Sequence, residues 1–143
     1  MSPLQSSQGV KQGIDEVNET KSPALLANGL PQPPIPQRLQ ELLKDYPGHL
    51  ARIQEDLNDL VLNHAKSIPL FEQAIWDLEG RTSAFIREAQ VELEVVQETG
   101  DAEAIALAEA KASLMRRAAD PNGGLKGLHE LWDFFQLHRE LLK

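Results

Sequence analysis

Between Ile68 and Gly100 the apolar positions recur at helical spacing without a break. Phe71, Ile75, Leu78, Thr82, Phe85, Ala89 and Val96 are separated by three, four or seven residues, so on a 3.6-residue turn they fall on one stripe. The spacing predicts one long central helix over about 69–99. Pro69 suits a first helical turn, and Thr99-Gly100 supplies a stop, because glycine takes the left-handed cap without a Cβ clash. At about 1.5 Å per residue such a helix is roughly 45 Å long. A stripe of that length needs partners along it. Gly80 lies inside, where glycine costs roughly 1 kcal/mol against alanine, yet the stripe stays in phase across it, so the helix is expected to continue.

The same periodicity marks neighbouring helices. Leu39, Leu42 and Leu43 define a short one from Pro36 to Asp45, and Pro47 interrupts it, since the residue before a proline avoids helical geometry. From Pro47 to about Ala65, Leu50, Ile53, Leu57, Leu60 and His64 alternate three and four apart, with Val61 widening the stripe into a coiled-coil type of seam. The connection to the long helix is short, which predicts an antiparallel pair. Past Gly100, Asp101 is a good N-cap and opens an alanine-rich helix over about 102–119, with Leu107, Leu114, Met115 and Ala118 on one side. Asp120-Pro121-Asn122-Gly123-Gly124 reads as a turn whose glycines take positive φ. A last helix is expected from Leu125 to the C-terminus, burying Leu128, Leu131, Trp132, Phe135 and Leu142. Most of the aromatics, Phe71, Trp76, Phe85, Trp132, Phe134 and Phe135, are expected in the core. The predicted fold is all-α: an antiparallel helical bundle of about four helices over residues 36–143, behind a disordered tail over 1–35.

The tail earns its reading from composition. It is rich in Ser, Gln and Pro and closes on LPQPPIPQ, four prolines between Leu30 and Gln37, which predicts a leader ending in a stiff, polyproline-like spacer, with a ligand for an aromatic-lined groove as the lesser alternative. Its first fourteen residues hold no acidic side chain. That composition is similar to the unfolded leader on substrates of bacterial needle-type export systems. No apolar run approaches the length of about 18 residues that suggests a membrane helix, and no signal-peptide pattern opens the chain. Cytoplasmic residence is the expectation, and export without a cleavable signal the alternative.

Charge and chemistry narrow the function further. With 22 acidic and 14 basic residues and a net charge of -8, the chain repels phosphate backbones and anionic lipid, so neither nucleic acid nor membrane is an expected partner. It has no cysteine, which excludes disulfides, thiol catalysis and thiolate metal sites. No nucleophile elbow, phosphate loop or dinucleotide turn occurs. The chain is therefore expected to be no enzyme and to need no cofactor. His129 and Asp133, four apart on one helix, are a candidate metal pair without an evident third ligand. Glu88 and Glu92, facing Glu55, Asp56 and Asp59 on a second helix, support an alternative: a divalent-metal-dependent hydrolase of a phosphorylated small molecule.

The more informative anomaly is Val91 and Val95. They fall opposite the Ala89, Leu93 and Val96 stripe, which makes the long helix apolar on two sides near its C-terminal end. Either the bundle wraps around it or another chain covers it. Glu88, Val91, Glu92, Val95 and Glu98 are accordingly the candidate partner-binding residues. The function expected is a helical protein-protein interaction module of regulatory or adaptor type, whose partner is a protein carrying basic residues or a second copy in a homodimer.

Overall fold

The computed structural model describes residues 25–142. Most of the predicted tail, including the leader-like segment and its disorder, lies outside the described residues. The chain divides into two units, 1–31 and 32–143. In the described part of the first, the Leu26 N–H donates to the Leu30 carbonyl at 2.7 Å and the Gly29 N–H to the Leu26 carbonyl at 2.9 Å, closing a turn. An isolated antiparallel bridge joins Leu25 and Pro31, and the described residues contain no strand.

The second unit is the expected antiparallel helical bundle. Its helices are α1 (Gln37–Leu42), α2 (Pro47–Asn63), α3 (Leu70–Thr99), α4 (Ala102–Ala119) and α5 (His129–Leu137), followed by a 3-10 turn, Arg139–Leu142. α3 runs unbroken through Gly80. Gly100 ends it with φ 75°, in the left-handed region that favours glycine. Asp101 then caps α4, its carboxylate accepting from the Glu103 and Ala104 N–H groups at 3.1 and 3.3 Å. Two helices joined by so tight a corner must return alongside one another, and α3 with α4 forms the most extensive helix pair.

α2 lies antiparallel on the N-terminal two-thirds of α3. Arg52 meets Glu88, Asp56 meets Arg81, and Ala65 meets Gln73. The predicted stripes interlock here: Ile53, Leu57, Leu60 and Val61 of α2 are buried with Leu78, Phe85 and Ala89 of α3. Full burial of each large side chain stabilises by about 1.5–3 kcal/mol. Thr82, the one polar residue in the buried stripe among the described residues, donates its hydroxyl to the Leu78 carbonyl at 2.8 Å, so its burial leaves no unmet donor. α1 packs along α4, and α5 along the start of α3.

Four expectations need correction. The last helix starts at His129, because a turn held by the Leu125 N–H to the Asp120 carbonyl at 3.2 Å runs on to Gly127, whose φ is 72°. Gly123 and Gly124 are not at positive φ. Glycine is required there for close approach: a Cβ on either would be driven into the Arg117 or Ala118 carbonyl oxygen. Trp76 and Trp132 are 55 % and 48 % exposed, and Leu107 is 69 % exposed. Leu107 is in phase with Leu114 and Ala118, but no helix reaches far enough to cover it. Finally, the proline segment is not a solvated spacer: Pro33 and Pro36 are buried, and Gln54 Nε2 donates to the Pro33 carbonyl at 2.8 Å.

Candidate functional site

The α3/α4 hairpin is longer than the helices that cover it. Antiparallel pairing of α2 with α3 brings Arg52 level with Glu88, so α2 begins, at Pro47, near the level of Val91. Beyond that point α3 and α4 have only each other. Ala89 is the last buried residue of α3 and Ala112 the first of α4. Residues 90–111 are all described, and none of them is buried. The hairpin tip nevertheless carries Val91, Leu93, Val95, Val96, Ile105 and Leu107. Leu93, Val96 and Ile105 are half-buried, while Val91 and Val95 are 58 % and 59 % exposed. The core stripes of both helices continue past the end of the core.

Charge at this tip has one sign. From residue 88 to 110 there are seven acidic residues, Glu88, Glu92, Glu94, Glu98, Asp101, Glu103 and Glu109, and no Lys or Arg. Two of them are neutralised from outside the segment. Glu88 takes a two-pronged ion pair from Arg52, and Lys111 Nζ reaches Glu92 at 2.8 Å. The hydrogen bond from Arg52 holds the Glu88 carboxyl below the usual carboxylate range and raises the guanidinium in return.

The predicted binding residues thus separate into two sets. Val91, Val95 and Glu98 lie on the outer face of α3, open to solvent. Glu88 and Glu92 are turned to α2 and α4 and act as register pins. A divalent cation at Glu88 and Glu92 would have to displace a guanidinium and an ammonium. Asp56 is likewise held by Arg81, at 2.6 and 3.0 Å, a hydrogen bond that raises the Arg81 guanidinium above its ordinary value. His129 and Asp133 are both exposed on α5, and no group of three His, Asp or Glu side chains suited to a metal occurs among the described residues.

The ring cluster behind these pins escaped the sequence patterns. His49 packs on Phe85 at 4.3 Å and on Tyr46 at 5.4 Å, with the Arg52 guanidinium 4.9 Å from the Phe85 ring centre and Lys111 Nζ 5.3 Å from the Tyr46 ring. Burial, then the nearby Lys111 and Arg52, push the His49 imidazole below its ordinary value. A basic residue placed seven positions before Asp59 or one position before Ala112 carries no sequence signal for such contacts, because the partners lie on other helices. Elsewhere, Asp56, Asp59, Trp76, Asp77, Gly80 and Arg81 line an acidic hollow of about 390 Å³. A second, largely apolar cavity lies where the α2–α3 loop faces α5.

The chain matches no protein-family model, no curated protein and no solved structure. Among the described residues no helix is long and apolar enough to cross a membrane.

Proposed function

We propose that the protein is a non-enzymatic helical interaction module of regulatory or adaptor type, and that the α3/α4 tip is its docking surface. One observation carries this reading: a 22-residue hairpin end, 90–111, has no buried residue while carrying the continuation of two core stripes. A helix lying on the tip, in line with α2 beyond its N-terminus, would complete the bundle. The occupant favoured by charge is a basic amphipathic helix from another protein. Its apolar side meets Leu93, Val96, Ile105 and Leu107, or Val91 and Val95 on the outer face, and its Lys and Arg meet Glu94, Glu98 and Glu103. Charge complementarity of this kind speeds encounter and sets orientation, while the apolar contacts supply affinity. A second copy would bring acidic tips together, which costs free energy, so a basic partner fits better than a homodimer.

The test is calorimetric titration with a designed Leu/Lys amphipathic peptide and with its Leu/Glu counterpart. The Leu/Lys peptide should bind, lose affinity as salt rises, and lose it again against Val95→Ser/Leu107→Ser protein. Equal binding of the Leu/Glu peptide, or affinity indifferent to both substitutions, would exclude the tip as an acidic docking surface.

A further inference from the structure

Five residues of α3 share the side turned away from the core. Arg87, Val91, Glu94, Val95 and Glu98 are linked by steps of three and four residues, so they fall on one stripe within an arc of about 100°, and all five are exposed. The buried Leu78, Phe85 and Ala89 lie on the opposite side of the helix. At 1.5 Å per residue the stripe is roughly 17 Å long, about three turns.

Charge changes sign along it. Arg87 stands at the end beside α2, and Glu94 and Glu98 flank the two valines towards the apex of the hairpin. The surroundings follow the same gradient. At the α2 end the carboxylates of Glu88 and Glu92 are answered by Arg52 and Lys111. Towards the apex, Asp101 and Glu103 add to Glu94 and Glu98, and none of these four takes part in an ion pair among the described residues. A uniformly basic helix laid along the stripe would set one of its cations against Arg87, and facing like charges cost free energy.

We propose that the partner is a polarised amphipathic helix of about three turns lying along this stripe, with an apolar seam on Val91 and Val95, Lys or Arg facing Glu94 and Glu98, and Asp or Glu facing Arg87. The inference rests on the tip being a docking surface; it adds which face is used and how the partner's charge is distributed. A second copy of this chain laid antiparallel would set its Arg87 against Glu98, but each stripe carries more carboxylates than cations, so the pair would stay unbalanced. A helix from another protein can supply the missing cations.

The experiment titrates the full chain calorimetrically with two end-capped peptides of identical composition and the same Leu seam. In the polarised one, Lys fills the N-terminal half and Glu the C-terminal half, an order that opposes the peptide's own helix dipole. In the other, Lys and Glu are interleaved, which favours free helicity through pairs four apart. A preference for the polarised peptide therefore cannot come from helix propensity. It should bind about fivefold more tightly, the upper end of what an exposed ion pair supplies. Arg87→Glu, at an exposed position, should abolish that preference, and a spin label on the Lys-rich end should broaden amide resonances around Glu98 and spare those around Arg87. Equal affinities, a preference that survives Arg87→Glu, or broadening centred on Arg87 would each overturn the polarity while binding of the Leu/Lys peptide left the docking surface standing. Failure of all three peptides would remove the docking surface and this inference with it. Sedimentation equilibrium of the protein alone should show a monomer, and a dimer that Arg87→Glu dissociates would assign the stripe to a second copy instead. The two-peptide comparison is made on the wild-type chain, so it decides the matter even if the variant misfolds.

Discussion

The Arg52 guanidinium and the Glu88 carboxylate meet through two parallel hydrogen bonds, Nη1 to Oε1 at 2.8 Å and Nη2 to Oε2 at 2.7 Å. They are 36 residues apart in sequence and join α2 to α3 at the level where the core ends. The same guanidinium carbon lies 4.9 Å from the centre of the Phe85 ring. The pair therefore pins the register of the two helices and shields the outermost ring of the core.

Glu88→Gln should destabilise the bundle by about 0.5–1 kcal/mol at neutral pH, the range of a well-formed but solvent-reached pair. The Glu88 carboxyl titrates below its ordinary value because Arg52 hydrogen-bonds the charged form. Its contribution is then fully present above the ordinary carboxylate range and disappears as pH falls through the lowered value. The gap between wild type and Glu88→Gln in chemical denaturation should accordingly close in acid, and it should narrow in about 0.5 M salt. A gap that is constant with pH would mean that the side chain matters only for packing.

Gly80→Ala should stabilise the protein by about 1 kcal/mol. The backbone is helical there, and a Cβ would meet nothing within 4 Å, so alanine removes freedom from the unfolded chain at no steric cost. Gly124→Ala should do the reverse, since its Cβ would collide with the Ala118 carbonyl. Paired thermal melts check both signs, and a Gly80→Ala melt below wild type would show that α3 needs a bend at that point.

These two glycines also show where the sequence was legible. The α3 stripe, read from Phe71 to Val96, held in phase across Gly80, and Leu78, Thr82, Phe85 and Ala89 on it are buried, because a 3.6-residue period is a local property of the chain. The Gly100 stop and the Asp101 cap are local too. Ala74 escaped notice although it is fully buried, since a methyl group adds little to an apolar pattern. Leu107 misled for the opposite reason: periodicity assigns a face, but where the neighbouring helices end decides whether anything covers that face. The Gln73 side chain, which donates to the Ala65 and Ile68 carbonyls at 2.7 and 2.9 Å and accepts from the Ala65 N–H at 3.1 Å, ties the α2–α3 loop through contacts that no spacing rule predicts. Candidate site residues fared likewise: the outward face of Val91 and Val95 follows from the helical wheel, whereas the ion pairs of Glu88 and Glu92 depend on other helices.

Asp77→Asn should stabilise the protein at neutral pH. Although its side chain reaches solvent, partial burial beside α2, then the charges of Asp56 and Asp59, raise the Asp77 carboxyl above its ordinary value. A raised acid favours the fold in its protonated form, so the benefit is fully present below the ordinary Asp value and is lost as pH rises through the raised one. Asparagine keeps the shape and removes the charge. The gain in melting temperature should be clear at pH 7 and vanish in strong acid, and a gain that persists in acid would place its origin in something other than charge.

The last prediction separates the hairpin tip from the core on which it stands. Phe85 is fully buried, and Phe85→Ala should cost about 3–5 kcal/mol, since truncation loses both transfer free energy and packing. Val95 and Leu107 are mostly exposed, so Val95→Ser/Leu107→Ser should leave denaturant stability within about 0.5 kcal/mol per site. Large aliphatics that add little to the isolated fold, on a segment with no residue inside, are what the proposed docking surface requires. The double variant should therefore keep the wild-type denaturation curve while losing the Leu/Lys peptide. If it instead unfolds readily, the two side chains already belong to a core, and the tip has no face left to offer a partner.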